Sequence, residues 1–323
     1  MALDIDLELL EEFERHLDPK YPERSGIPAT VLGYGEISTV FEIGREEQRD
    51  IAYKRMPIFN DPSELVVYEK SFNEYIRLLE GLGLRLPEYG YASITPAGRK
   101  PVFFIAQHKL DPASIANKAI HSIPADGVIR LCREILRELK IVFEHNRNNA
   151  GAEIGIDGQI SNWSIEGFDR AAGDLPDQVR LTYFDTSTPL FRVSGNEQLD
   201  PELFLRSAPS FMVWIIRLLF LEDVMTRYYD FHLVATDMIA NFYKEQRPEL
   251  IPDLVEMANE FFSSEVGALG VEPLSVKGVK SYYREDALIW TLYLSMRKTD
   301  RFLRAGIMRK EYPYILPGKI KRR

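Results

Sequence analysis

Near Leu110 the hydrophobic period of this 323-residue chain changes, and that change constrains the fold more than any other feature. Ahead of it, short apolar runs alternate with glycine-bearing turns. Residues 28–43, "PATVLGYGEISTVFEI", read as two strands around a turn. "DIAYKRM" (50–56) reads as a third strand, and "PEYGYASIT" and "KPVFFIAQHKL" as two more. Two helical patterns interrupt them. Residues 5–16 carry Ile5, Leu7, Leu9, Leu10 and Phe13 on an acidic background. From Ser63 to Leu82, apolar Leu65, Tyr68, Phe72, Tyr75, Ile76 and Leu79 recur at spacings of three and four, and Gly81 and Gly83 end the run.

Beyond Leu110, "GVIRLCREILRELKIVFEH" is an amphipathic helix and "VRLTYFD" a short β-like run. From Pro201 onward nearly everything reads helical, including the amphipathic "YYREDALIWTLYLSMRKTDRFLRAG". A strand-rich front third ahead of a helix-rich remainder, with no repeat and no flexible linker, predicts an α+β chain of two closely packed lobes. The expected division is a helical extension over residues 1–26, a β-rich lobe over 27–108, and a larger helical lobe over 109–323 that ends in a helical extension.

Composition narrows the function classes. A formal net charge of −9 argues against broad nucleic-acid binding, which wants a basic surface. The one cysteine, Cys132, excludes an internal disulfide and a Cys-based zinc site, and fits a reducing, cytoplasmic setting. The five histidines show no metal-binding spacing, and His145 ends a helix, where a cation suits the dipole. "FMVWIIRLLFL" (Phe211–Leu221) is short and carries Arg217, so it reads as a buried helix and not a membrane span. The acidic N-terminus lacks the order of a signal peptide, and the basic tail "KIKRR" reads as a frayed terminus. "RYYDF" (Arg227–Phe231) reads as core packing with one ion pair, and "GALGVEPL" as a loop between helices.

Five segments carry candidate chemistry. "GYGEISTV" (Gly33–Val40) sets two glycines one residue apart, which lets a strand turn bring backbone N–H groups near phosphates; a plain hairpin turn explains it equally. It is not a P-loop, because no G-K-[ST] follows. Lys54 ends the apolar "IAYK" on the next strand. Glu74 lies on the following helix, where it can pair with a half-buried Lys54 and keep it charged and aimed; Glu69 shares that helix. "IDGQISNW" puts Asp157 five residues before Asn162, the spacing of a turn or of a base-plus-metal loop. Asp185 closes the strand in "LTYFDTSTP", either as a cation ligand or as an Asx-turn.

In this order the segments resemble the protein-kinase-like superfamily. "GYGEISTV" is similar to G-x-G-x-x-G-x-V, with Ser38 in place of the third glycine, and "IAYK" to V-A-I-K. Asp157 and Asn162 match H-R-D-x-x-x-x-N, and Asp185 matches the Asp of D-F-G. The resemblance runs from about residue 28 to 190. It departs at Gly155-Ile156, where a protein kinase has His-Arg, at Gln159 in place of a Lys, at Thr186-Ser187 after Asp185, and in lacking A-P-E. The pattern looks closer to the branch with aminoglycoside and choline phosphotransferases and sugar or lipid kinases, although the His-Gly-Asp of that branch is absent too.

The resemblance implies ATP and Mg2+ as cofactors. Gly33, Gly35, Ser38 and Val40 would cover the phosphates, Lys54 hold them and Glu74 orient Lys54. The adenine would lie near Gln107 and His108. Asn162 and Asp185 would hold Mg2+, and Asp157 would orient the hydroxyl of a small-molecule or lipid-like acceptor. Two rival readings stay open: a kinase-fold nucleotide-sensing or scaffold module without catalysis, and nucleotidyl transfer on the same fold.

Overall fold

Asp6 and Asp61 start the two helices of the small lobe. In the computed structural model, which describes residues 3–35, 37–44, 46–149, 151–200, 202–206, 226–309 and 312–316, each carboxylate accepts a backbone N–H of the first turn: Leu9 N at 2.9 Å in α1 (Leu7–His16), Ser63 N at 2.9 Å in α2 (Pro62–Gly81). Pro62 opens α2, and Gly83 just past its end takes φ +89°, which only a residue without Cβ adopts freely. The segment Phe211–Leu221 and the tail "KIKRR" lie outside the described residues.

Five antiparallel strands form the sheet of this lobe in the order β1-β2-β3-β5-β4: β1 (Ala29–Tyr34), β2 (Thr39–Ile43), β3 (Ile51–Met56), β4 (Tyr89–Ile94) and β5 (Val102–His108). Alternation along β5 divides the packing between the two faces. Val102, Phe104 and Ala106 pack with Phe41 and Tyr53 under Leu9, Leu10 and Phe13 of α1. Phe103 and Ile105 pack on the other side with Tyr68, Phe72 and Ile76 of α2. The stretch 312–316 returns to this lobe, with Ile315 in the first cluster and Tyr312, Tyr314 and Leu316 in the second.

The large lobe is mainly helical. It contains α3 (Ala116–Ala119), α4 (Ala125–Asn148), α5 (Glu202–Leu205), α6 (Phe231–Lys244), α7 (Ile251–Glu265) and α8 (Val276–Arg301), which continues through a π-helical turn, Phe302–Ile307. Buried Leu131, Cys132, Ile135, Leu139 and Val142 of α4 meet Met238, Phe242, Leu254 and Phe261 in one core. Short strands decorate its top. One ladder pairs β7 (Trp163–Ile165) with β8 (Leu181–Tyr183); another orders β10 (Asn196–Glu197), β9 (Phe191–Val193) and β6 (Ala152–Ile154). The second ladder escapes sequence reading because strands of two or three residues are too short to show a period.

The result is the α+β, two-lobed arrangement expected: a small lobe with an antiparallel sheet on a larger helical lobe. Arg55 on β3 ties three distant segments of the small lobe together. Its guanidinium bonds both carboxylate oxygens of Glu14 on α1, one at 2.9 Å, and the carbonyl of Pro313 at 2.8 Å. Both partners are buried. Removing one partner of such a pair strands the other charge, so Glu14→Ala should cost about 3–5 kcal/mol of stability, read as a lower urea midpoint.

Candidate active site between the lobes

One row of cross-strand neighbours builds the floor of the small-lobe side. Gly33, Val40, Lys54, Ile105 and Tyr91 stand opposite one another across all five strands, so their side chains share the face on which α2 packs. A Cβ on Gly33 would meet nothing within 4 Å, which leaves open space at the end of that row. Gly35 N donates to Ser38 O at 3.0 Å and closes the β1–β2 turn, and Ser38 is buried beneath it. A Cβ on Gly35 would lie 2.5 Å from Ser38 Oγ, so the glycine permits the close turn.

Lys54 reaches from this face to the other lobe. Its Nζ lies 2.6 Å from Asp185 Oδ1, with both side chains only partly exposed. Asp185 also accepts Ser187 Oγ at 2.9 Å. Burial raises the Asp185 pKa, but Lys54 and Ser187 more than offset that and hold it below the usual carboxylate value.

The expected Lys54–Glu74 pair does not form. Glu74 faces solvent on α2 and binds Arg77 one turn on, at 2.8 and 2.5 Å. Glu69 accepts Tyr91 Oη at 3.2 Å instead. The reason is the orientation of α2. Its buried stripe carries Tyr68, Ser71, Phe72 and Tyr75, and positions 69 and 74 fall beside that stripe. The His108 side chain alternates away from Gln107, onto the opposite face of β5, and stands 3.6 Å from Glu88. Gln107 does face the cleft side, and its Nε2 donates to Phe184 O at 3.2 Å, one residue before Asp185.

What the inward face of α2 supplies is hydroxyl groups. Tyr68 Oη donates to Ser187 O at 2.6 Å, Ser71 Oγ to Gln198 O at 3.2 Å, and Tyr75 Oη to Gly155 O at 2.9 Å. Spacings of three and four put all three on one side of the helix. All three acceptors are backbone carbonyls of the large lobe.

The loop after β6 holds the other candidates. Asn162 is buried, donates Nδ2 to Asp157 O at 3.2 Å and accepts Phe184 N on its own carbonyl at 3.1 Å. The β7–β8 ladder, with Trp163 opposite Tyr183, thereby sets Asn162 beside the segment that ends in Asp185. Asp157 takes Gln159 N at 3.1 Å. Burial, then the charges of Asp237 and Asp185, push its pKa above the usual carboxylate range. The glycines flanking this loop are there for close packing. A Cβ on Gly158 would lie 2.5 Å from Val234 Cγ1 and 3.0 Å from a Leu139 methyl, and one on Gly155 would lie 3.0 Å from the Tyr229 ring. A bulky residue at 155, where protein kinases carry His, has no room.

The chain matches a family profile over residues 16–301. It belongs to the Family of unknown function (DUF6206). No curated protein matches it in sequence. The solved structure of WaaP in complex with acyl carrier protein aligns over 85% of this chain and 90% of its own, at 12% identity and a TM-score of 0.35.

Within this family member, Asp237 on α6 is a site residue that sequence reading missed. It lines a small pocket with Asp157, Gly158, Arg227 and Tyr282. Burial raises its pKa, while Arg227, Gln159 and Tyr282 pull it back. A signal existed: Asp237 and Asn241 interrupt the apolar stripe of Val234, Met238 and Phe242, and a carboxylate there is rarely idle. Beyond this pocket, past Leu233 and Tyr282, a cleft of about 420 Å³ opens between α6 and α8, with Thr236, Leu274 and Glu285 on its walls.

Among the described residues, no group of three or more His, Cys, Asp or Glu side chains is arranged to hold a metal ion. Asp185 offers a carboxylate, and Asn162, bonded through its carbonyl to the residue before Asp185, a carboxamide oxygen. That donor set fits Mg2+, which takes one or two protein oxygens and completes its shell with water and substrate phosphates. Because each α2 hydroxyl answers a carbonyl, Tyr68→Phe and Tyr75→Phe should each lower stability by about 1–3 kcal/mol in chemical denaturation, with the shape of the core unchanged.

Proposed function

We propose that this protein is an ATP-dependent phosphotransferase that moves a γ-phosphate to the hydroxyl of a small-molecule or lipid-like acceptor. The observation that carries the reading is the 2.6 Å contact of Lys54 with Asp185 across the lobes, with Asn162 tied to the residue before Asp185 and Asp157 on the same loop. Three segments far apart in sequence come together there, and they offer a cation for the phosphates, oxygen ligands and a base, the groups that phosphoryl transfer uses.

In this reading the Gly33–Val40 turn lies over the phosphates, and Lys54 holds them. Adenine lies toward the end of β5 near Gln107. Asn162 and Asp185 hold Mg2+, which supplies charge neutralisation when bound. Asp157 orients the acceptor hydroxyl and receives its proton, a role that a raised carboxylate pKa favours. Positioning of the α2 side falls to Tyr68 and Tyr75 in place of Glu74.

A second reading, a kinase-fold module that binds nucleotide or a partner without turnover, draws on one observation: Glu74 is committed to Arg77, so Lys54 has no carboxylate partner on α2 to orient it. Thermal shift separates the cases. Mg2+-ATP at ~100 times its Kd should stabilise the wild type by about 2.7 kcal/mol, and Lys54→Ala and Asp185→Ala should lose that shift. Asp157→Asn should keep the shift and abolish product formation against an acceptor panel. Mass spectrometry of the product distinguishes phosphate from nucleotide transfer. No shift in the wild type defeats both nucleotide readings. A shift without turnover, indifferent to Asp157→Asn, leaves the binding module.

A further inference from the structure

The outer surface of α8 and its π-helical turn combines two properties, exposed apolar side chains and basic charge. Of the fourteen large apolar side chains exposed among the described residues, seven lie between Val276 and Met308. Leu288 is 69% exposed, Phe302 64%, Ile307 62% and Met308 55%. At 100° per residue Leu288, Leu292 and Phe302 fall on one face of the helix. Exposed apolar residues gathered on one element mark a binding surface, whereas scattered ones need no explanation.

The same segment is basic in an acidic protein. Residues 276–309 hold eight Lys and Arg against three Asp and Glu, while the whole chain carries 40 against 49. Each of the three acids has a partner: Asp286 faces Arg227 at 3.6 Å, Asp300 takes Arg304 at 3.0 Å, and Glu285 accepts Ser281 Oγ at 3.1 Å. Lys298 and Arg309, both exposed, flank the Phe302–Met308 cluster.

We propose that this face is a docking surface for an anionic lipid membrane, on which α8 and the turn lie flat with Phe302, Ile307 and Met308 entering the headgroup boundary. Apolar side chains at one helix end, ringed by cations on long flexible stems, suit a surface that is apolar inside and negative outside. No helix among the described residues is long and apolar enough to cross a membrane, so the contact is interfacial. A second copy of this chain fits the face less well, because its own basic rim would meet itself.

The test is co-sedimentation of the full chain with vesicles of phosphatidylcholine alone and of phosphatidylcholine mixed with phosphatidylglycerol, at low and high salt. Wild type should pellet with the phosphatidylglycerol vesicles, and high salt should release it. The triple variant Phe302→Ser, Ile307→Ser, Met308→Ser should stay in the supernatant with an unchanged circular dichroism spectrum, since all three side chains are exposed. The double variant Lys298→Glu, Arg309→Glu should behave likewise. No binding by the wild type, equal binding to neutral vesicles, or binding retained by both variants overturns the proposal. So does a wild-type dimer in solution that the triple variant abolishes, without any vesicle binding.

Discussion

Three hydroxyls on one face of α2 set the relation between the lobes. Tyr68, Ser71 and Tyr75 each donate to a backbone carbonyl of the large lobe, at Ser187, Gln198 and Gly155. A neutral hydrogen bond from a buried phenol is modest in net energy but costly to leave unmade, because the stranded carbonyl keeps its desolvation penalty. The three bonds therefore act more as a constraint on position than as a source of stability. They hold α2 against the two loops that carry Asp157 and Asp185, and everything at the interlobe surface is placed relative to that contact.

The electrostatics follow from this placement. Since the inward face of α2 offers hydroxyls and not a carboxylate, Lys54 finds its counter-charge on the large lobe, in Asp185. The pair spans the cleft, so lobe separation would cost both the ion pair and the tyrosine bonds. On the far side of the loop, burial and then the charge of Asp237 raise the Asp157 pKa, and Arg227 offsets part of that charge. The small lobe keeps its own buried pair, Arg55 with Glu14, well away from the cleft.

Much of the fold was legible because periodicity survives wherever an element is long and one-sided. The apolar spacing of residues 63–82 gives α2, now bounded at Pro62 and Gly81, and the alternation around "VFFIAQH" gives β5. The short ladder of β6, β9 and β10 was not legible, since two or three residues define no period. Within the site, the order of Gly33, Lys54, Asp157, Asn162 and Asp185 pointed to one cleft, and the structure brings Lys54, Asp157, Asn162 and Asp185 together there. The expected Lys54–Glu74 pair does not form because order along the chain does not say which way a side chain turns; the deciding fact is the rotation of α2 about its axis.

By itself the sequence determined the lobes, their order and the residue types that can serve phosphate chemistry, because hydrophobic period and spacing are local properties of a chain. Tertiary structure alone decided the partners: Lys54 with Asp185 and not Glu74, Tyr75 with Gly155, Asp237 beside Asp157. Those pairings join residues many tens of positions apart. Which of several chemically acceptable partners each side chain meets depends on how helices rotate and pack against one another, and no local pattern encodes that rotation.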